Sequence, residues 1–174
     1  MRHFLDLRDV SADDIGDILA TARTLKNTRG KGAESPFYGH ALGMIFEKPS
    51  TRTRVSFEVA AQELGGYAIV LQKEDLQLGR GETVADTARV LSRYVHALML
   101  RAHQHATLLE LAEYASVPVI NGLTHLLHPC QVMADLMTIE ERLGKIHDLT
   151  IAWVGDGNNM ANTWITAAQK LGFT

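Results

Sequence analysis

Residues 41–58 read ALGMIFEKPSTRTRVSFE. An apolar run, Ala41 to Phe46, is followed at once by Ser50, Thr51, Arg52, Thr53 and Arg54. Apolar residues at helical spacing then resume with Phe57, Ala60, Ala61 and Leu64. This is the pattern of strand, tight turn and helix, with the polar cluster at the helix N-terminus. Free backbone N–H groups and the positive end of the helix dipole favour an anion there. Hydroxyls add donors, and arginine grips a phosphate with two parallel N–H bonds. The stretch therefore predicts a phosphate or phosphate-ester site around Ser50, Thr51, Arg52 and Thr53. Taken singly, each residue has a plainer reading: Ser50 as a helix cap, Arg54 with Glu58 as a surface pair four residues apart. The cluster as a whole favours an anion.

Outward from this turn, strands and helices alternate. Towards the N-terminus, Ser11 with Asp14 resembles a capping box. Ile15, Ile18, Leu19, Ala22 and Leu25 mark one helical face, and a loop covers 28–38. Towards the C-terminus, Gly65-Gly66 stops the turn's helix. Strands are expected at 67–71, 96–100, 117–120 and 150–154. Pro118 marks its strand as an edge strand or a strand start. Helices are expected near 84–95, 106–115, 129–143 and 159–171, with Pro129 at a first helical position. Such alternation predicts an α/β fold, a parallel sheet flanked by helices on both faces. Polar clusters at 50–54, 77–80, 101–105 and 121–131 each follow a strand, so a parallel sheet gathers them on one edge, where ligands bind. The unit after Gly144, one strand and one helix, cannot bury both faces of a sheet by itself. Truncation within a second domain is the expectation, with docking of this unit onto the first domain's sheet as the alternative.

Composition bounds the class. The 174 residues are 46% hydrophobic and 21% charged, with a net charge of −3, ordinary for a globular protein. That balance argues against a general nucleic-acid or polybasic membrane surface. Cys130 stands alone, so no intrachain disulfide forms and no oxidising compartment is required. The N-terminal MRHFLDLRDVSADD lacks a long apolar segment, and a cytoplasmic protein without a membrane span is expected.

His128-Pro129-Cys130-Gln131 opens a helix. His128 can donate to a carbonyl oxygen, and Gln131 offers both donor and acceptor. Cys130 at a helix start could be an activated nucleophile, but a lone cysteine is more often packing. Arg101 ends a strand. His103, His105 and His125 lack the spacing of a metal site, and no metal is expected. Gly155-Asp156-Gly157-Asn158-Asn159-Met160 begins like a dinucleotide fingerprint, but Met160 stands where its third glycine belongs, so dinucleotide binding is disfavoured. No phosphate-loop motif of the G-x-x-x-x-G-K-[ST] type occurs.

FEKPSTRTRVSFE, DLQLGRGETVADTARVLSRY, HPCQVMADLMTI and VGDGNNMANTW, in this order and spacing, resemble the aspartate/ornithine carbamoyltransferase family. His-Pro-Cys-Gln and Gly-Asp-Gly-Asn-Asn point to its ornithine branch. The resemblance implies a carbamoyl phosphate-binding domain over 1–128, an inter-domain helix over 129–144, and the first βα unit of a Rossmann-like ornithine-binding domain over 145–174. It implies that Ser50, Thr51, Arg52 and Thr53 hold the phosphate, and that Arg101, His128 and Gln131 contact the carbamoyl end. It places Gln77 on a loop that reaches a neighbouring subunit and Asn159 at an ornithine-binding position. Catalysis is implied for Arg52, Arg101 and His128, with no cofactor. The implied reaction carries the carbamoyl group of carbamoyl phosphate to L-ornithine, giving citrulline for arginine biosynthesis, in a homotrimer with shared sites. A binding fragment without catalysis, or a carbamoyltransferase for another amine, are the alternatives.

Overall fold

Six consecutive residues, Ala41–Phe46, are buried and form strand β1. A run apolar on both faces belongs at the centre of a parallel sheet. In the computed structural model, which describes residues 3–31, 35–76 and 81–174, β1 lies between β2 (Tyr67–Gln72) and β3 (Ala97–Arg101), and β4 (Val119–Leu123) flanks β3. The order is β2-β1-β3-β4, and all pairings are parallel. Pro118 precedes β4, and β4 is an edge strand, as expected.

Alternation along β1 divides the core. Ala41 and Ile45 join Leu98, Leu100, Leu108, Leu111 and Val119 on one side. Leu42, Met44 and Phe46 join Ala61 and Met99 on the other. Helices α2 (Thr51–Glu63), α3 (Val84–Leu91) and α4 (His105–Tyr114) connect the strands. Gly65 has a φ of 89°, and a Cβ on Gly66 would meet the His40 carbonyl oxygen at 2.6 Å. The double glycine thus allows both the turn out of α2 and the close backbone approach that follows.

Contacts divide the chain into two compact units. One contains Met1–Leu5 and Glu34–Thr124; the other contains Asp6–Ala33 and His125–Thr174. Within the second, α1 (Ala12–Thr28) and α6 (Asn159–Leu171) both have contacts to the unit: α1 packs on α5 (Pro129–Leu143), and so does α6. Arg23–Glu140 and Lys26–Glu141 ion pairs, both at 2.7 Å, join α1 to α5. The capping box of Ser11 and Asp14 is formed.

One expected element is absent. Residues 150–154 make no strand. A strand needs a neighbour to take its N–H and C=O groups, and the second unit contains no other strand among its described residues. The Ile151 N–H instead donates to the Thr174 carbonyl at 2.7 Å, and Val154 is 94% exposed.

Candidate functional site

In the first unit the site grows from the end of β1. Ser50 is the N-cap of α2, and its Oγ accepts from the Thr53 N–H at 3.4 Å. Thr51 and Arg52 occupy the first two helical positions, so no carbonyl of the helix precedes them to take their amide protons. The first turn carries no acidic residue. Both Thr51 and Arg52 are exposed, and Arg54 pairs with Glu58 at 3.3 Å, as its spacing predicts.

Arg101 reaches this turn from β3. Phe46 is its register partner on β1, which brings the two strand ends side by side. Arg101 Nη1 donates to Thr53 Oγ1 at 3.3 Å, and the Ser50 hydroxyl donates to the same oxygen at 3.1 Å. With both lone pairs of Thr53 Oγ1 engaged, its own proton points to an acceptor elsewhere. Arg101 Nε is buried and has no hydrogen-bond partner among the described residues. Burial pushes the Arg101 guanidinium below its ordinary value; it remains a cation at neutral pH. Ser50, Thr51, Arg52 and Thr53 thus form one cluster of hydroxyls, amides and a cation on a strand-to-helix turn, suited to a phosphate, with Arg101 beside it to meet the rest of a phosphate ester.

The remaining candidates lie at helix starts of the second unit. His128 is the N-cap residue of α5, with Pro129 at the first helical position. The His128 N–H donates to Thr163 Oγ1 at 2.9 Å, and the Thr163 hydroxyl donates to the Asn159 carbonyl at 2.6 Å. Asn159 opens α6, which Asn158 caps by accepting from the Met160 and Ala161 N–H groups. His128 and Asn159 are therefore tied together through Thr163. Gln131 turns along its own helix and donates to Asp135 Oδ1 at 2.9 Å. The Cys130 thiol is pushed up to about 12 by burial, which leaves it protonated and non-nucleophilic at neutral pH. Gln77 lies outside the described residues.

Two residues with a part in this geometry escape a reading of the sequence. Thr163 is one. The other is Glu47, whose N–H donates to the Arg101 carbonyl at 2.9 Å and whose Oε2 accepts from the His103 N–H at 2.9 Å. The available signal was a carboxylate inside an otherwise cationic segment.

Residues 2–141 match the family model for the aspartate/ornithine carbamoyltransferase carbamoyl-P binding domain. The ornithine carbamoyltransferase of Archaeoglobus fulgidus is 56% identical over 173 residues, 99% of this chain and 56% of that protein. The crystal structure of ornithine carbamoyltransferase from Burkholderia thailandensis superposes with a TM-score of 0.96 at 46% identity, over 100% of this chain and 60% of that one. The enzyme from Pyrococcus furiosus gives a TM-score of 0.94 at 53% identity, over 98% and 55%. The chain spans little more than half the length of these relatives. Among the described residues, no helix is long and apolar enough to cross a membrane.

Proposed function

The chain belongs to the aspartate/ornithine carbamoyltransferase family, and from that premise we propose that it binds carbamoyl phosphate and serves its transfer to L-ornithine, giving citrulline and phosphate. The observation that carries the reading is the Arg101–Thr53–Ser50 chain at the start of α2, where the buried Arg101 Nε has no acceptor among the described residues. The names of the relatives support ornithine as the acceptor.

Carbamoyl phosphate already contains a good leaving group, so no enzyme nucleophile is needed. The neutral amine of ornithine attacks the carbonyl carbon and forms the C–N bond, the C–O bond to phosphate breaks, and the phosphate departs with the bonding electrons and takes up the proton that the nitrogen releases. Negative charge grows on the carbonyl oxygen during attack. Arg101 and Thr53 donate to that oxygen as an oxyanion hole does, a contact typically worth about 10²–10³ in rate. Ser50, Thr51, Arg52 and the helix amides hold the departing phosphate. His128 and Gln131 keep the carbamoyl contacts that the family resemblance gives them; Gln77 keeps its inter-subunit role and Asn159 its contact with ornithine. Residues 1–128 act as the carbamoyl phosphate domain, 129–144 as the inter-domain helix, and 145–174 as the opening of the ornithine domain. Arginine biosynthesis, a cytoplasmic location and a homotrimer complete the proposal.

The test is calorimetric titration of carbamoyl phosphate into this chain. Saturable binding is expected. Arg52→Ala weakens it by about 10–100-fold, the range for hydrogen bonds to charged groups, whereas Cys130→Ser changes it by less than about twofold, as for a thiol without a covalent role. The reverse ranking would sink the assignment.

A further inference from the structure

We propose that Glu47 is a positioning residue for Arg101, and so sets the preference for a carbamoyl group over bare phosphate. The inference rests on the phosphate-site reading above and adds to it a residue that touches no ligand.

A carboxylate three positions before the Ser50 cap is electrostatically out of place, because like charge disfavours a phosphate nearby. Its hydrogen bonds account for it. The Glu47 N–H extends the β1–β3 ladder one step beyond the Phe46–Arg101 pair by donating to the Arg101 carbonyl. The side chain then accepts from the His103 N–H. One residue thus holds 101–103 at two points, one through the main chain and one through the side chain.

The other flank of β3 is irregular here, although the Ala102 N–H still donates to the Leu123 carbonyl at 2.9 Å. The β3–β4 register shifts between Leu100 and Arg101: Leu100 pairs with Asn121, but Arg101 pairs with Leu123. A bulge of this kind re-aims a side chain and loosens the local ladder. Arg101 sits at that irregularity, with its guanidinium directed at Thr53. Glu47 comes from the strand that leads into the phosphate turn, so its two bonds fix the arginine relative to the helix start that holds the phosphate. A charge-assisted bond from a backbone N–H to a carboxylate is among the stronger contacts available for this purpose.

The role separates two ligands. Inorganic phosphate uses the α2 turn, whereas carbamoyl phosphate also uses Arg101 at its carbonyl oxygen. In Glu47→Ala, the affinity of this chain for carbamoyl phosphate is expected to fall about tenfold, while that for inorganic phosphate changes by less than about twofold. Glu47→Gln keeps an acceptor oxygen for the His103 N–H and is expected to recover carbamoyl phosphate affinity to within about threefold. Glu47→Asp, one methylene shorter, supplies the same comparison if the alanine variant does not fold.

A second readout needs no ligand: the NMR signals of the Arg101 Nε–H and the His103 amide. Both are expected to move in Glu47→Ala and to return towards their original positions in Glu47→Gln. Equal loss of affinity for the two anions, or an Arg101 signal that stays in place, would overturn the proposal. Failure of the unaltered chain to bind either anion, with the Arg101 signal still moving in Glu47→Ala, would count against the phosphate site and leave the positioning of Arg101 by Glu47 standing.

Discussion

Helices α2 and α3 begin with the same device and finish it differently. Each starts on a hydroxyl cap that accepts from the N–H three residues on: Ser50 from Thr53 at 3.4 Å, Thr83 from Asp86 at 3.0 Å. In α3 that third residue is an aspartate. The Thr83 hydroxyl donates to it at 2.8 Å, and Arg89 pairs with it at 2.8 Å. The positive end of α3 is thereby neutralised by its own chain. In α2 the corresponding residue is Thr53, no carboxylate lies in the first turn, and Arg101 arrives from β3 to add positive charge. One position in the first turn decides whether a helix start is closed upon itself or open to an outside anion.

The sharpest way to break this contrast is Thr53→Asp, which gives α2 the closed form of α3. A carboxylate about 4 Å from a bound phosphate repels it by roughly 4 kcal/mol near a protein surface, so carbamoyl phosphate affinity should fall at least ~100-fold. The helix itself should gain about 0.3–1 kcal/mol, because acid now meets the dipole. Calorimetry and urea unfolding in phosphate-free buffer read the two effects, and binding that persists would refute the contrast. Asp86→Ala makes the reciprocal change. It should cost about 0.3–1 kcal/mol of stability through the lost dipole contact, since the exposed Arg89 pair adds little. Carbamoyl phosphate binding should stay unchanged, and a matching loss of affinity would show that the two helix starts are coupled.

A third helix start adds a smaller effect. Cys130 lies in the first turn of α5, where the dipole alone would favour a thiolate. Burial outweighs it and pushes the thiol up to about 12 from an ordinary 9.0. Between those values the unfolded chain has lost the proton that the folded chain keeps. Stability from this group is therefore complete below about pH 9 and is lost as pH rises towards about 12. Alkylation by iodoacetamide should stay slow through pH 9 in the folded chain; rapid labelling at pH 8 would contradict the burial argument.

Much of this was legible in the sequence because its causes are local. The apolar run at 41–46 and Pro129 at the start of α5 are local signals, and the strand and helix they predict are formed, as is the helix expected near 159–171. The turn into α2 was legible for the same reason, since its hydroxyls and Arg52 are consecutive. Failures came where partners are distant. The 150–154 segment has strand composition, but composition does not supply a neighbouring strand. Glu47 meets His103 across 56 residues and Thr163 meets His128 across 35, and neither spacing carries a periodic signal. The start of β4 was placed two residues early, because Pro118 separates Val117 from the paired residues.

The pairing of β1 with β3 also has a kinetic side. Thr53 and Arg101 are 48 residues apart and meet only when those strands are in register. A grip assembled from such distant segments has no partly folded version, because loop-closure entropy is spent before the last contact forms. Loss of either strand from the sheet dismantles the whole grip, so ligand occupancy reports on the sheet's integrity. An anion that binds only the folded form, at about 100 times its dissociation constant, shifts the unfolding equilibrium by about 2.7 kcal/mol. An anion bound at this turn would then act as a folding cofactor for the sheet that carries the turn.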